Sequence, residues 1–534
     1  MKSTIKDLGY MIDCSRGAVA RLSTLKRLVD CLSSFGYSYL MLYTEDTYEI
    51  KEEPYFGYMR GRYSHEEIKE LDAYCKSKGM ELRPCIQTLA HLGRLQAGDG
   101  FNDLFDIDNI LLVGDEKVYA FIEEMFKNVS ECFSSKKIHI GMDEAFQLGR
   151  GKYIDRFGYE KKSSIISKHL KRVSEIAKKY GYTCFIWADM LENAYREDEE
   201  HYSCSIPDNV IPMYWGYEKL GKENAEEKMR LYKKLSPKRL SSCGGIIKWV
   251  GFSPLNTYSM AAVEEQINVA KKYDLDDYLV TGWGDGAGDA GQFTTLPGLF
   301  YAGLIAKGKA LNEETKKTFL EATGMSFDDF MNVDALSTLD PNVDYKEKRN
   351  NLSFVHLYSD LLQDPMMECA LDKYESLYAK AMERLSPFRE QKEFGYMFDT
   401  LYRLADVDQY LCTLGRKIRE AYAAKRDLSP EIETAKKAYA ALEGFIKAYE
   451  RQWAKENKAF GYEKQLLRLG GLKERIRYVI DVLASYQKGE ISQIDELEEK
   501  HLPKYVGDKI IDDPDAVYAN WYRYFVSSGI LNDN

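Results

Sequence analysis

"KIHIGMDEAFQLGRG", Lys137 to Gly151, starts as an apolar run and breaks into two neighbouring carboxylates, Asp143 and Glu144, followed by an aromatic and two glycines. Burying adjacent negative charges is costly, so their place at the end of a strand-like run needs a reason. The run is one of eight. From Gly9 to about Lys307 short apolar, β-branched or aromatic runs alternate with turns and amphipathic stretches: "LGYMIDC", "YSYLMLY", "ELRPCIQ", "KIHIGM", "YTCFIWAD", "NVIPMYW", "LSSCGGIIKWV" and "DDYLVTGW". Stretches such as "AVARLSTLKRLVDCLSSFG" and "SHEEIKELDAYCKSKG" carry apolar residues at helical spacing and end on Gly. Strands alternating with helices pair in parallel. Eight repeats over about 300 residues fit a closed (β/α)8 TIM barrel better than an open doubly wound sheet.

The glycine-dense "GWGDGAGDAG", Gly282 to Gly291, follows the eighth run rather than the first and lacks a downstream ribose-binding acid, so it reads as a crowded rim loop and not a phosphate loop. After about Leu311 the strand signals stop and long charged helices take over, for example "PEIETAKKAYAALEGFIKAYERQWAKENKAF". The expected organisation is therefore α/β: a (β/α)8 barrel over residues 1–310, followed by an α-helical C-terminal domain over 311–534. The last aromatic cluster, "VYANWYRYFVSSGIL", could pack on the barrel or mediate a homodimer.

The net charge of -11 is spread over interleaved acids and bases, which argues against nucleic-acid and anionic-membrane partners. The N-terminal "MKSTIKDLGYMIDCSRG" has no basic head with a long apolar stretch, and no run of about 18 apolar residues occurs. Ten scattered cysteines, none at CxxC spacing, fit reduced thiols in a cytoplasm. Seven histidines without HxxxH spacing, and no Cys cluster, give no reason to expect a metal or another cofactor.

In a barrel enzyme the chemistry lies at the C-terminal ends of the strands. Here those ends carry Asp13, Ser15 and Arg16; Tyr43, Glu45 and Asp46; Gln87 with His91 beyond; Asp143 and Glu144; Trp187 and Asp189; Tyr214 and Trp215; Trp249; and Trp283 with Asp285. Four of the six tryptophans fall at strand ends among carboxylates, which suits a sugar ring, whose C–H faces stack on indoles while its hydroxyls bond acids and amides. Single tryptophans there could simply plug the mouth. Successive strand side chains point to opposite faces, so Asp143 and Glu144 both reach a ligand only where the strand has ended, and Gly149 and Gly151 make the following loop permissive. Adjacent carboxylates are poor candidates for the usual glycosidase pair, which must flank the scissile bond about 5 Å or more apart. They could serve consecutive atoms of one sugar. An ionised Asp143 would hold a proton on Glu144, making it a general acid; the plainer alternative is a pair of solvated rim acids.

These strand ends resemble glycoside hydrolase family 20, the exo-acting β-N-acetylhexosaminidases. "HIGMDEA" is similar to the family's H-x-G-x-D-E signature, with His139, Gly141, Asp143 and Glu144 in place; Arg16 to a first-strand arginine that binds sugar hydroxyls; His91 to a third-strand histidine; Trp187 to the tryptophan of I-W-x-D-M; and "WGD" to a W-G-E-like motif. The resemblance spans roughly residues 5 to 310 and is to the cytoplasmic branch without a preceding α/β domain. It implies a retaining exo-β-N-acetylhexosaminidase acting on β-N-acetylhexosaminide oligosaccharides or glycoconjugates, in which the substrate's acetamido oxygen attacks through an oxazolinium-like intermediate. Glu144 would protonate the leaving oxygen, and Asp143 would orient the acetamido N–H. Arg16 and Asp285 would hold ring hydroxyls, and Trp187, Trp215, Trp249 and Trp283 would enclose the sugar. The family's seventh-strand tyrosine has no counterpart in "GGIIKWVGF", and Tyr214 is the expected substitute. Asp285 stands where a longer Glu is common, which leaves glucosamine or galactosamine open. The competing readings are a conventional retaining glycosidase with Asp189 or Asp285 as nucleophile, and a noncatalytic sugar-binding protein.

Overall fold

Eight short strands, all parallel, close on themselves in chain order: β1 (Asp7–Asp13), β2 (Tyr39–Tyr43), β3 (Glu81–Cys85), β4 (Lys137–His139), β5 (Thr183–Trp187), β6 (Val210–Trp215), β7 (Ser241–Gly245) and β8 (Asp277–Gly282). The computed structural model describes residues 4–97, 99–202, 204–349, 351–363, 371–501, 504–506 and 509–511. Closure runs through β8 onto β1, with Gly9 opposite Leu279 and Ile12 opposite Gly282. The TIM barrel read from the eight apolar runs is the observed fold.

Alternation along each strand builds the interior. Met11, Tyr39, Met41, Tyr43, Cys85, Phe185, Trp187, Met213, Cys243 and Leu279 fill the barrel, with Ile211, Trp215 and Trp283 packed against them. Each fully buried side chain of this size contributes about 1.5–3 kcal/mol. Gly9 is required by this packing, because a Cβ there would stand 2.0 Å from the ring of Tyr39. Two of the helices between strands are capped by side chains: Ser64 and Glu67 form a capping box for His65–Ser77, and Asp115 caps Glu116–Cys132.

By contacts the chain groups into two compact units. The first comprises residues up to Ile246, Ser259–Trp283 and Gly298–Gly324; the second comprises Ile247–Tyr258, Gly284–Pro297 and the residues from Met325 onward. The loops after β7 and β8 thus belong with the helical unit, whereas the sequence pointed to one cut near residue 310. Within that unit Phe252 stands edge-on to Phe445 and Tyr449, 5.1 and 5.0 Å away. Asp334 accepts the backbone N–H groups of Asn256 and Thr257 at 3.1 and 2.7 Å, capping the helix Asn256–Lys272. The rim loop "GAGDAG" is held by the helix Tyr462–Gln487: Arg468 donates to the Gly286 carbonyl and to Asp289 at 2.7 and 2.6 Å, and Gln465 to the Ala287 carbonyl and Asp289 at 3.0 and 2.7 Å. The aromatic cluster at 517–531, offered as a dimer contact, lies outside the described residues. Among the described residues no helix is long and apolar enough to cross a membrane.

Candidate active site

The ladder of β4 continues past His139, since the Ile140 N–H donates to Phe185 and the Trp187 N–H to Gly141, at 2.9 and 3.1 Å. The chain then turns sharply. Gly141, Met142 and Glu144 have φ of 69°, 74° and 52°, in the left-handed region. A Cβ at Gly141 would stand 1.9 Å from Gln87 Oε1, so glycine is required there twice over. Glu45 and His91, at the ends of β2 and β3, also lie at positive φ, 45° and 60°. Non-glycine residues in this region cost about 1–3 kcal/mol each and collect where surroundings hold them for function.

The turn places the two carboxylates in opposite environments. Asp143 is 7% exposed. Its Oδ1 accepts from Gln87 Nε2 at 2.8 Å, and its Oδ2 lies 3.3 Å from His91 Nε2. Gln87 is fixed in turn, accepting the Met142 N–H at 3.3 Å and donating to the Tyr43 hydroxyl at 2.9 Å. Burial works to raise the Asp143 carboxyl, but the His91 charge and the Gln87 donor hold it below the usual carboxylate range. Burial would discharge His91, yet Asp143 first and Glu45 next push it up to about 9. Glu144 has a side chain 47% exposed, 3.6 Å from His91, and its backbone N–H donates to Asp189 Oδ2 at 2.9 Å.

Arg16 lies 3.4 Å from Glu45 and 3.8 Å from Asp13, whose Oδ1 also accepts the Ser15 N–H and hydroxyl at 2.8 and 2.7 Å. The Tyr43 hydroxyl donates to Glu45 at 3.0 Å, so strands one to four are linked by an unbroken chain of polar contacts from Arg16 to Asp143. His139 is buried and its Nδ1 accepts the Gly141 N–H at 3.1 Å, which leaves the ring proton on Nε2; burial lowers its pKa to about 3, and its ring packs 4.1 Å from Trp187. Among the described residues no group of three or more His, Cys, Asp or Glu is arranged to hold a metal ion.

The expected residues fall into three sets. Arg16, His91, Asp143, Glu144, Trp187, Trp215 and Trp283 belong to the barrel mouth or to the interior layer beneath it. Trp187 is 1% exposed and touches Trp283, 5.8 Å away, which itself meets Tyr43 at 4.8 Å. Tyr214 is a correction: Met213 and Trp215 point inward, so Tyr214 points outward and packs 4.7 Å from Tyr232 of the helix Lys222–Leu235. Trp249 and Asp285 lie half-buried in the second unit, in the loops after β7 and β8. The sequence did not single out Tyr217, which stacks on Trp215 at 5.4 Å and accepts the Trp283 indole N–H at 2.7 Å. Its position past the last residue of β6 was the available signal.

Residues 8–233 match the family model for glycosyl hydrolase family 20, catalytic domain, and residues 328–511 match the Glycoside Hydrolase 20C C-terminal domain. The chain is 24% identical over 216 residues to hexosaminidase D of Homo sapiens, covering 38% of this chain and 43% of that protein. It is 25% identical over 169 residues to a beta-hexosaminidase of Akkermansia muciniphila, covering 26% and 34%. It thus spans less than half the length of either of these curated relatives. Among solved structures it is similar to a β-N-acetylhexosaminidase from Bacteroides fragilis, at 18% identity and a TM-score of 0.46, covering 60% of this chain and 70% of that one.

Proposed function

We propose, for a chain that belongs to glycoside hydrolase family 20, that it is a retaining exo-β-N-acetylhexosaminidase releasing terminal β-linked GlcNAc or GalNAc. The observation that carries this reading is the pairing of a buried, ionised Asp143 with a half-exposed Glu144 on one turn. In the first step the acetamido carbonyl oxygen attacks the anomeric carbon while Glu144 gives its proton to the glycosidic oxygen, and the bond to the leaving group breaks. Asp143, fixed by Gln87 and His91, accepts the acetamido N–H and balances the positive charge that develops on the ring formed. In the second step Glu144, now a carboxylate, takes a proton from the water that attacks the same carbon from the vacated side, while the bond from that carbon to the acetamido oxygen breaks and the acetamido group is restored. The configuration is retained.

The leaving sugar must lie against Glu144. Phe146 is two residues on and 53% exposed, its N–H donates to the Glu144 carbonyl at 2.8 Å, and Ala145 between them is buried. Its ring offers that sugar an apolar face. A carboxylate nucleophile fits Asp189 poorly, because N–H donors occupy both of its oxygens.

The test is hydrolysis of nitrophenyl N-acetyl-β-glucosaminide and N-acetyl-β-galactosaminide, with the anomer of the first-formed product read by proton NMR. The expected result is release of at least one sugar as the β-anomer. Equal rates when the 2-acetamido group is replaced by hydroxyl, or a trapped 2-fluoro-glycosyl enzyme, would establish a protein nucleophile instead.

A further inference from the structure

Asp189 opens the helix Asp189–Glu197, two residues past the end of β5. Its Oδ2 accepts the Glu144 backbone N–H at 2.9 Å, and its Oδ1 accepts the Trp215 indole N–H at 3.3 Å. The charged and titratable groups around it are Asp143 and Glu144 from the turn after β4 and Tyr232 from the helix Lys222–Leu235; His91 stands on Asp143, and the Tyr232 hydroxyl donates to Glu192. Glu144 is the residue of the doublet that adopts left-handed backbone, a conformation that an unbranched acidic side chain takes only when something holds it.

We propose that Asp189 is a positioning residue for Glu144, pinning the turn that aims the acid and, through its negative charge, keeping a proton on it. This rests on the reading of Glu144 as proton donor. A hydrogen bond from a backbone N–H to a carboxylate is among the stronger ones in proteins, and here it fixes the residue whose geometry matters most. A negative charge nearby disfavours ionisation of Glu144 and so extends the pH range over which the acid is loaded. Burial first and Asp143 second push the Asp189 carboxyl up to about 7, against its two N–H donors. The charge is therefore fullest above about pH 7 and fades below it.

Asp189→Asn tests this, because an amide has one acceptor oxygen for two N–H donors and carries no charge. On a disaccharide, kcat should fall about 10-fold to 100-fold with KM changed by less than about 3-fold, whereas a dinitrophenyl glycoside, which needs no acid, should lose less than about 3-fold. The alkaline limb of kcat against pH should move about one pH unit lower on the disaccharide. An unmoved limb, or equal losses on both substrates, overturns the proposal. In wild-type protein labelled with 15N-tryptophan, and with Trp215→Phe used for assignment, the Trp215 indole proton should titrate with a midpoint near 7; a signal that stays still between about pH 5 and 9 overturns it without any folding question. If wild type cleaves neither nitrophenyl sugar, it is the reading of Glu144 that has failed.

Discussion

At the foot of the barrel Arg83 is 1% exposed and lies 2.7 Å from Glu81, 3.3 Å from Asp277 and 3.4 Å from Asp7, while Lys137 takes Asp7 at 2.7 Å and the ring of Tyr39 sits 3.5 Å from the guanidinium. At the mouth Asp13, Glu45, Asp143, Glu144 and Asp189 gather around Arg16 and His91. The foot sets three carboxylates against two cations, all on regular strands. The mouth groups these five with two cations, beside the pair of Asp46 and Arg60, and carries Glu45, Asp143 and Glu144 on turns in which Glu45, Met142, Glu144 and His91 take left-handed backbone. Near-balanced charge on regular backbone serves stability. Surplus carboxylates on strained backbone suit the reaction proposed above, in which positive charge develops on the substrate.

Four measurements can break or sharpen that contrast. Glu144→Gln should lower the rate on a disaccharide by about 10²-fold to 10⁴-fold while leaving the melting temperature nearly unchanged, since the side chain is half exposed. A loss of stability with intact turnover would erase the distinction. Arg83→Met should do the reverse, with urea unfolding reporting a loss of about 3–5 kcal/mol because Glu81 and Asp277 lose their cation while Asp7 keeps only Lys137, and kcat unchanged in the folded enzyme.

The third measurement uses pH. His91 has a folded pKa of about 9, raised above its unfolded value, so its contribution is complete below about pH 6.5 and is lost as pH rises through 9. Unfolding at pH 6 and pH 10 should differ by about 2–3 kcal/mol from this group, and Asp143→Asn should flatten the dependence. Smallest is Phe146→Ala, expected to lower kcat/KM on a disaccharide by about 10-fold and on an N-acetylglucosaminyl fluoride hardly at all, because fluoride has no face to stack.

The barrel was legible because eight short buried runs, apolar in β2 and β8, alternate with stretches whose apolar residues recur at helical spacing. Asp143 and Glu144 were legible because two acids at a strand end have no packing role. Tyr214 went astray for a reason also written in the chain: once Trp215 is taken as inward, a period of two sends its neighbour to the helices. The left-handed turns at Met142 and Glu144 left no trace in residue type, because methionine and glutamate are not what such a turn selects, and Gly149 and Gly151 drew attention instead. The pairing of Asp143 with His91, 52 positions apart, needs β3 and β4 to be neighbours, which a chain-ordered barrel supplies, and left-handed backbone at His91 and Met142, which it does not.

Asp289 finds its cation in Arg468, 179 residues later, and Gln292 is met by Glu456 and Asn457. During vectorial synthesis the last rim loop of the barrel therefore emerges long before the groups that will receive it. A gene cut near residue 310 would leave the Asp289 carboxylate without its Arg468 counter-ion, so the loop after β8 is completed only by residues that are synthesised near the end.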